Sequence, residues 1–286
     1  MAGAGPMSTL TIDGATLAHT ATGSGETVVL LHCSASAGSQ WRALAGQLQD
    51  RFHVIAPDLY GYGASDPWHG CGPFSLAAEA ESVAALIARC AGPVHLVGHS
   101  YGGAVALRLA LDQPARLHSL TLIEPVAFHL LRDAPDPDRA LLEEIRTLAA
   151  AVSDAAMSGD YWRGMARFVD YWSGPGSWVR LPEERRTALC RGIAKVALDF
   201  RAIFAEATPL AACRRIRVPT LVLRGGRSPA TTRRIAELLA ATLPAARLGT
   251  IADAGHMLPL SHREEVNRAI LEHLMRHAVP VLPAAA

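Results

Sequence analysis

Lysine is almost absent from this chain. Lys195 is the only one among 27 basic residues, and the rest are arginine, a bias that reads as codon usage rather than mechanism. The formal net charge is +1 and no block of basic residues stands out, so neither nucleic acid nor an anionic membrane is expected as a partner. No run of about 18 apolar residues occurs, which excludes an obvious membrane-spanning helix. Cysteine is sparse and odd in number. Cys33, Cys71, Cys90, Cys190 and Cys213 show no C-x-x-C spacing, so neither a disulfide framework nor a zinc site is expected. That usage fits a reducing cytosol, and no metal or cofactor is called for. The opening "MAGAGPMSTL" has no basic stretch followed by an apolar one, so no secretory leader is expected. One further absence concerns chemistry: no Asp or Glu occurs from Ala207 to Ala236.

The chain has 286 residues, 50% of them hydrophobic and 19% charged, which is enough to bury a large core. Short apolar runs alternate with longer helical patterns, the signature of a mostly parallel sheet with crossover helices. Strands are expected at 9–12, 16–20, 27–32, 53–57, 94–98, 118–123, 218–223 and 247–251. Helices are expected at 39–49, 75–90, 100–111, 231–243 and 263–276, and Pro57, Pro114, Pro219 and Pro244 punctuate element ends. The tail "AVPVLPAAA" is expected to fray. No internal repeat is present.

The alternation breaks between about 126 and 213, where only helical stretches such as "DRALLEEIRTLAAAV" are found. The expected organisation is an α/β core over 1–125 and 214–286, with an all-helical insertion at 126–213. The insertion holds nine of the sixteen aromatic residues. Individually such rings are core packing; collectively some should line a pocket, with Phe128, Trp162 and Trp172 as candidates.

The sharpest local signal is "VHLVGHSYGG", residues 94–103, in which an apolar strand runs through Gly98-x-Ser100-x-Gly102 into the helix "GAVALRLAL". A nucleophilic serine needs a tight strand-to-helix turn that exposes its hydroxyl beside a helix N-terminus, and small neighbours leave room for the strained backbone. Ser100 is the candidate nucleophile.

With this elbow in hand, the chain resembles the α/β-hydrolase fold superfamily of serine esterases and lactonases over roughly residues 8–277. Three other stretches carry the resemblance: "VVLLHCSASAGSQW", "VIAPDLYGYGASD" and "IADAGHMLPLSHREEVN". It implies an eight-stranded, mostly parallel sheet and a helical cap. It also implies His256 as general base, the one histidine that follows a glycine in the expected late loop. The oxyanion hole would be formed by the N–H groups of Tyr101 and Ser34. Cys33 stands where a glycine is usual, and its Cβ is expected to crowd that loop. His32 and His99 read as local hydrogen-bonding residues.

The acid that orients His256 is usually found after the seventh strand, where this chain has Ser228. Asp253, only three residues before His256 and expected on the same loop, is poorly placed to reach the far side of its ring and is the second candidate. Asp58 and Asp66 belong to a turn, and Asp199 reads as solvated or packed. Glu124 ends the apolar strand "LHSLTLIEP" at the edge where such sheets place active sites. Haloalkane dehalogenases and zearalenone-type lactone hydrolases of this superfamily take their acid from that strand, so the resemblance implies that the acid has moved to Glu124. The expected activity is cofactor-independent cleavage of a small apolar carboxylic ester or lactone. Other chemistry on the same fold (C–C hydrolase, lyase or perhydrolase) and a non-catalytic small-molecule receptor are the alternatives.

Overall fold

Runs such as "TVVLL" and "VHLVGH" are apolar at consecutive positions, as strands buried on both faces must be. The computed structural model describes residues 5–132 and 136–278, so the tail beyond Ala278 lies outside the described residues. All eight expected strands form: β1 (Met7–Ile12), β2 (Ala15–Thr22), β3 (Glu26–Leu31), β4 (Phe52–Pro57), β5 (Val94–His99), β6 (Leu117–Ile123), β7 (Thr220–Gly225) and β8 (Ala246–Ile251). They make one sheet in the order β1-β2-β4-β3-β5-β6-β7-β8. β2 runs antiparallel to both β1 and β4, and every other pair is parallel. Asp13 and Gly14, at φ 48° and 84°, close the β1–β2 hairpin with the left-handed pair that a two-residue turn requires.

The core helices are α1 (Arg42–Leu48), α2 (Leu76–Ile87) and α3 (Tyr101–Asp112), and after the insertion α9 (Ala230–Thr242), α10 (Leu258–Ser261) and α11 (Arg263–His277). The insertion between β6 and β7 contributes α4 (Asp136–Ser158), α5 (Tyr161–Ser173), α6 (Ser177–Arg180), α7 (Glu183–Arg191) and α8 (Ile193–Ala205), with no strand among its described residues. Successive side chains of a strand face opposite ways, and the two cores follow that rule. Val28 and Leu30 pack with Leu44 of α1 and Val266 and Ile270 of α11, whereas Val29 and Leu31 pack with Val83 of α2 and Val105 of α3. The second core runs on without a break into the insertion through Phe128, Val152, Met165 and Phe200. Arg108 of α3 reinforces this join by pairing with Glu206, just past α8, at 2.9 Å.

The expected helix at 39–49 is split into a 3₁₀ turn, Gly38–Trp41, and α1. Asp58 Oδ1 accepts the Gly38 N–H at 2.7 Å, which pins the start of this segment against the end of β4. No helix among the described residues is long and apolar enough to cross a membrane.

Candidate functional site

Parallel strands bring their carboxyl ends to one edge of the sheet, and the candidate residues gather there. Ser100 follows β5 at φ 57°, ψ −114°, a conformation that a residue with a Cβ rarely adopts. The turn is held by hydrogen bonds from Ser100 N to Ile123 O at 2.9 Å and from Val126 N to Ser100 O at 3.2 Å. Its tightness explains the flanking glycines. A Cβ on Gly98 would sit 2.2 Å from Gly102 O, and one on Gly102 would sit 2.5 Å from His32 O. Among the described residues, four non-glycine residues have positive φ, and three of them, Ala35, Ser100 and Glu124, lie at this edge. Such backbone strain collects where surrounding contacts fix a functional geometry.

Ser100, His256 and Glu124 form one hydrogen-bonded line. Ser100 Oγ lies 2.9 Å from His256 Nε2, and His256 Nδ1 lies 3.1 Å from Glu124 Oε2. The other carboxylate oxygen, Oε1, accepts the Gly225 N–H at the end of β7 at 2.7 Å. Glu124 is fully buried and His256 nearly so. Asp253 is on the surface, paired with Arg227 at 2.6 Å. Ser228 sits beside Gly225 in the next loop, buried, and its hydroxyl has no partner among the described residues.

Two further histidines hold the surrounding loops. His99 Nε2 contacts His256 O at 2.9 Å, and His99 Nδ1 meets Gln40 Nε2 at 3.1 Å; Gln40 Oε1 in turn accepts the Cys33 N–H at 3.2 Å. This order makes His99 the Nε2–H tautomer. His32 accepts the Leu59 N–H through Nε2 at 3.0 Å and donates from Nδ1 to Cys33 O at 2.7 Å. Both rings are fully buried, and burial lowers His99 to about 3 and His32 to about 4, so both are neutral. Cys33 is accommodated because its own φ is not positive; that conformation falls on Ala35, two residues further on. Burial pushes the Cys33 thiol up to about 12, where it is inert as a nucleophile. Tyr101 is the first residue of α3, where a backbone N–H has no intrahelical acceptor, and Ser34 lies on the loop after β3.

Beside Ser100 and His256 opens a cavity of about 300 Å³, walled mainly by Phe128, Phe168, Trp172, Phe200 and Ile203. Trp172 lies against the His256 ring, with centroids 4.1 Å apart, and Phe128 stacks on Trp172 at 6.3 Å. Trp162 does not line this cavity. It is 43% exposed and packs edge-on against Trp178 with Arg186 over its face, so its expected place in the pocket is corrected. The helical period puts Trp162 and Trp172 on different sides of α5, and without a register for the insertion the sequence could not say which side turns inward. Of the two readings of Asp199, solvated or packed, the structure shows the second: it is 2% exposed, lines the cavity and accepts the Ser34 hydroxyl at 2.5 Å, a contact with the site that the sequence did not reveal. A carboxylate on a mostly apolar helix was the available signal.

The family described as "alpha/beta hydrolase fold" matches residues 26–263. A pimeloyl-[acyl-carrier protein] methyl ester esterase of Aeromonas hydrophila is 30% identical across 88% of this chain and 96% of its own. Among solved structures, a hydrolase from Pseudomonas aeruginosa is 31% identical with a TM-score of 0.76, covering 95% of this chain and 99% of its own. A thermophilic esterase from Thermogutta terrifontis is 26% identical with a TM-score of 0.72, covering 97% and 100%.

The neutral buried histidines carry a stability consequence. Once the chain unfolds, His32 and His99 regain a value near 6.5 and bind protons that the fold refuses. Between the folded values and 6.5 the unfolded state therefore binds more protons, so stability falls as pH drops below about 6.5. At pH 5 the loss is about 2 kcal/mol for each ring. The urea midpoint is expected to be lower at pH 5 than at pH 7.5, and the difference is expected to shrink in His99→Asn.

Proposed function

Since the chain belongs to the alpha/beta hydrolase fold family, we propose that it is a serine hydrolase cleaving a carboxylic ester or lactone through an acyl-enzyme. The observation that carries this reading is the line Ser100–His256–Glu124, with spacings of 2.9 and 3.1 Å, opening on an apolar cavity of about 300 Å³. Esterase-like relatives support the reaction class.

Ser100 Oγ bonds to the substrate carbonyl carbon while its proton passes to His256 Nε2. The Ser34 and Tyr101 N–H groups stabilise the negative charge that develops on the carbonyl oxygen. The carbon–oxygen bond to the leaving group then breaks, and that oxygen takes the proton from Nε2. In a lactone the freed hydroxyl stays attached to the acyl group. Water enters, gives a proton to His256 Nε2 and its oxygen to the acyl carbon; the bond from that carbon to Ser100 Oγ then breaks, Oγ takes the proton back from Nε2, and the carboxylic acid leaves. Glu124 holds Nδ1–H and stabilises the imidazolium that forms twice per cycle, without taking its proton. The rings of Phe128 and Trp172 give the acyl group an apolar seat, which favours substrates of moderate size.

Three measurements test this assignment. Ser100→Ala and His256→Ala are expected to lower turnover of p-nitrophenyl esters by about 10³-fold or more, with losses that do not add in the double variant. Near-normal turnover in Ser100→Ala excludes the mechanism, and turnover of vinylogous diketones in place of esters and lactones moves the assignment to C–C hydrolysis. Glu124→Gln is expected to lose about 10⁴ in kcat, as removal of an orienting acid does elsewhere. Ser228→Ala is expected to lose little. The double change Glu124→Ala with Ser228→Asp is expected to recover part of the loss of Glu124→Ala, because Ser228 lies against the Gly225 whose N–H Glu124 holds. Finally, Trp172→Ala is expected to shift chain-length preference by about tenfold, whereas Trp162→Ala leaves the profile flat; kcat/KM across a chain-length series separates them.

A further inference from the structure

The only lysine of the chain is not on its surface. Lys195, on α8, is 8% exposed, and its ammonium group pairs with Asp199 of the same helix and with Glu79 Oε2 of α2 at 3.2 Å. The rings of Tyr62, Phe74 and Tyr101 surround it at 4.5–4.7 Å from Nζ to ring centre. Burial alone would lower the lysine, but the Asp199 and Glu79 carboxylates outweigh it and hold its pKa above the ordinary value. Glu79 is fully buried and Asp199 is 2% exposed.

Each carboxylate of this cluster holds one of the two residues whose N–H groups face the reacting carbonyl in the mechanism above. Asp199 Oδ2 accepts the Ser34 hydroxyl at 2.5 Å, and Glu79 Oε2 accepts the Tyr101 hydroxyl at 3.1 Å. Asp199 Oδ2 also accepts the Tyr62 hydroxyl at 2.5 Å, and Glu79 Oε1 takes the Tyr60 N–H at 2.9 Å. Ser34 and Tyr101 lie 67 residues apart in sequence, one on a loop and one opening α3, yet their side chains end on two carboxylates joined by one ammonium. A buried ion cluster is a weak source of net stability, since desolvation consumes most of the attraction. It is an effective way to fix separations, because each oxygen has a defined donor.

We propose that Lys195 is a positioning residue for the oxyanion hole: through Asp199 and Glu79 it fixes the Ser34 and Tyr101 N–H donors relative to each other. Because Lys195 and Asp199 belong to the helical insertion, docking of α8 completes the oxyanion hole as well as roofing the pocket. This inference rests on the hydrolase reading and on the oxyanion donors assigned there.

The test uses Lys195→Met, which keeps the stem and removes the charge, with Lys195→Arg, Ser34→Ala and Tyr101→Phe beside it. Active sites are counted by titration to completion with a fluorophosphonate. Kinetic constants are measured on p-nitrophenyl acetate, which reaches little of the apolar cavity. Binding is measured for an aryl trifluoromethyl ketone, which forms a tetrahedral adduct with the serine, and for the matched methyl ketone, which does not. Lys195→Met is expected to lower kcat per titrated site about 10²-fold with KM changed less than about threefold, the signature of a misplaced oxyanion donor. Affinity for the trifluoromethyl ketone should fall by a similar factor and that for the methyl ketone by much less. Ser34→Ala and Tyr101→Phe, each cutting one arm, should lose about tenfold in the same two readouts, and Lys195→Arg should recover part of the loss. A lower Tm with unchanged kcat per site overturns the proposal and leaves a simple fastening of α8. If Lys195→Met does not fold, the two single-arm variants decide, and unchanged trifluoromethyl ketone affinity in both overturns it. A native protein that neither titrates nor forms the ketone adduct overturns the hydrolase reading and this inference together. A native protein that does both, with variants that match it, overturns this inference alone.

Discussion

At the carboxyl edge of the sheet a single carboxylate joins the ends of three strands. Glu124 extends β6, and its own N–H goes to Leu223 O on β7 at 2.9 Å. One of its oxygens takes the Gly225 N–H where β7 ends, and the other takes the His256 ring from the loop after β8. Ser100 N meanwhile hangs on Ile123 O, one residue before Glu124. The position of the imidazole is therefore referred to β5, β6 and β7 at once, and those strands cannot slide because their hydrogen-bonded ladders are central to the sheet. A rigid reference of this kind is what preorganised chemistry demands of its scaffold.

The sheet was legible in the sequence for a physical reason. Strands buried on both faces need unbroken apolar runs, and "TVVLL", "VHLVGH" and "LTLI" have no other use in a chain of this length. Glu124 could be found because a carboxylate at the end of such a run contradicts its surroundings. The insertion was legible as helices but not as surfaces. Its helices meet the core through contacts that no local periodicity encodes, so Trp162 and Trp172 looked equivalent until the packing separated them. Lys195 and Asp199 were opaque for the same reason, since their partners Glu79, Ser34 and Tyr62 lie more than a hundred residues away. Gln40 was missed because its importance lies wholly in linking Cys33 to His99.

The two halves of the proposed chemistry are thus supported from opposite directions. Proton transfer is anchored from below, by strand ends and by the neutral ring of His99 on the His256 carbonyl. Charge stabilisation is braced from the side, by an ion cluster shared between α2 and α8. Trp172 is the point where the insertion touches the first half, with its ring against the imidazole. Ser228, in the loop after β7, keeps a buried hydroxyl with no partner among the described residues, close to the Gly225 whose N–H Glu124 holds.

Burying the one lysine also shapes how the outside of the molecule responds to alkali. Every other basic side chain is an arginine or a histidine, and a guanidinium keeps its proton at any pH a protein survives. In most proteins the positive surface charge drains away as exposed lysines deprotonate near pH 10. Here no exposed lysine exists to do so, and Tyr62 and Tyr101, which would otherwise add negative charge in that range, are held well above their ordinary values by burial. The cationic half of the surface is therefore a fixed lattice, indifferent to alkalinity. For the same reason amine-directed reagents find no exposed lysine side chain to acylate.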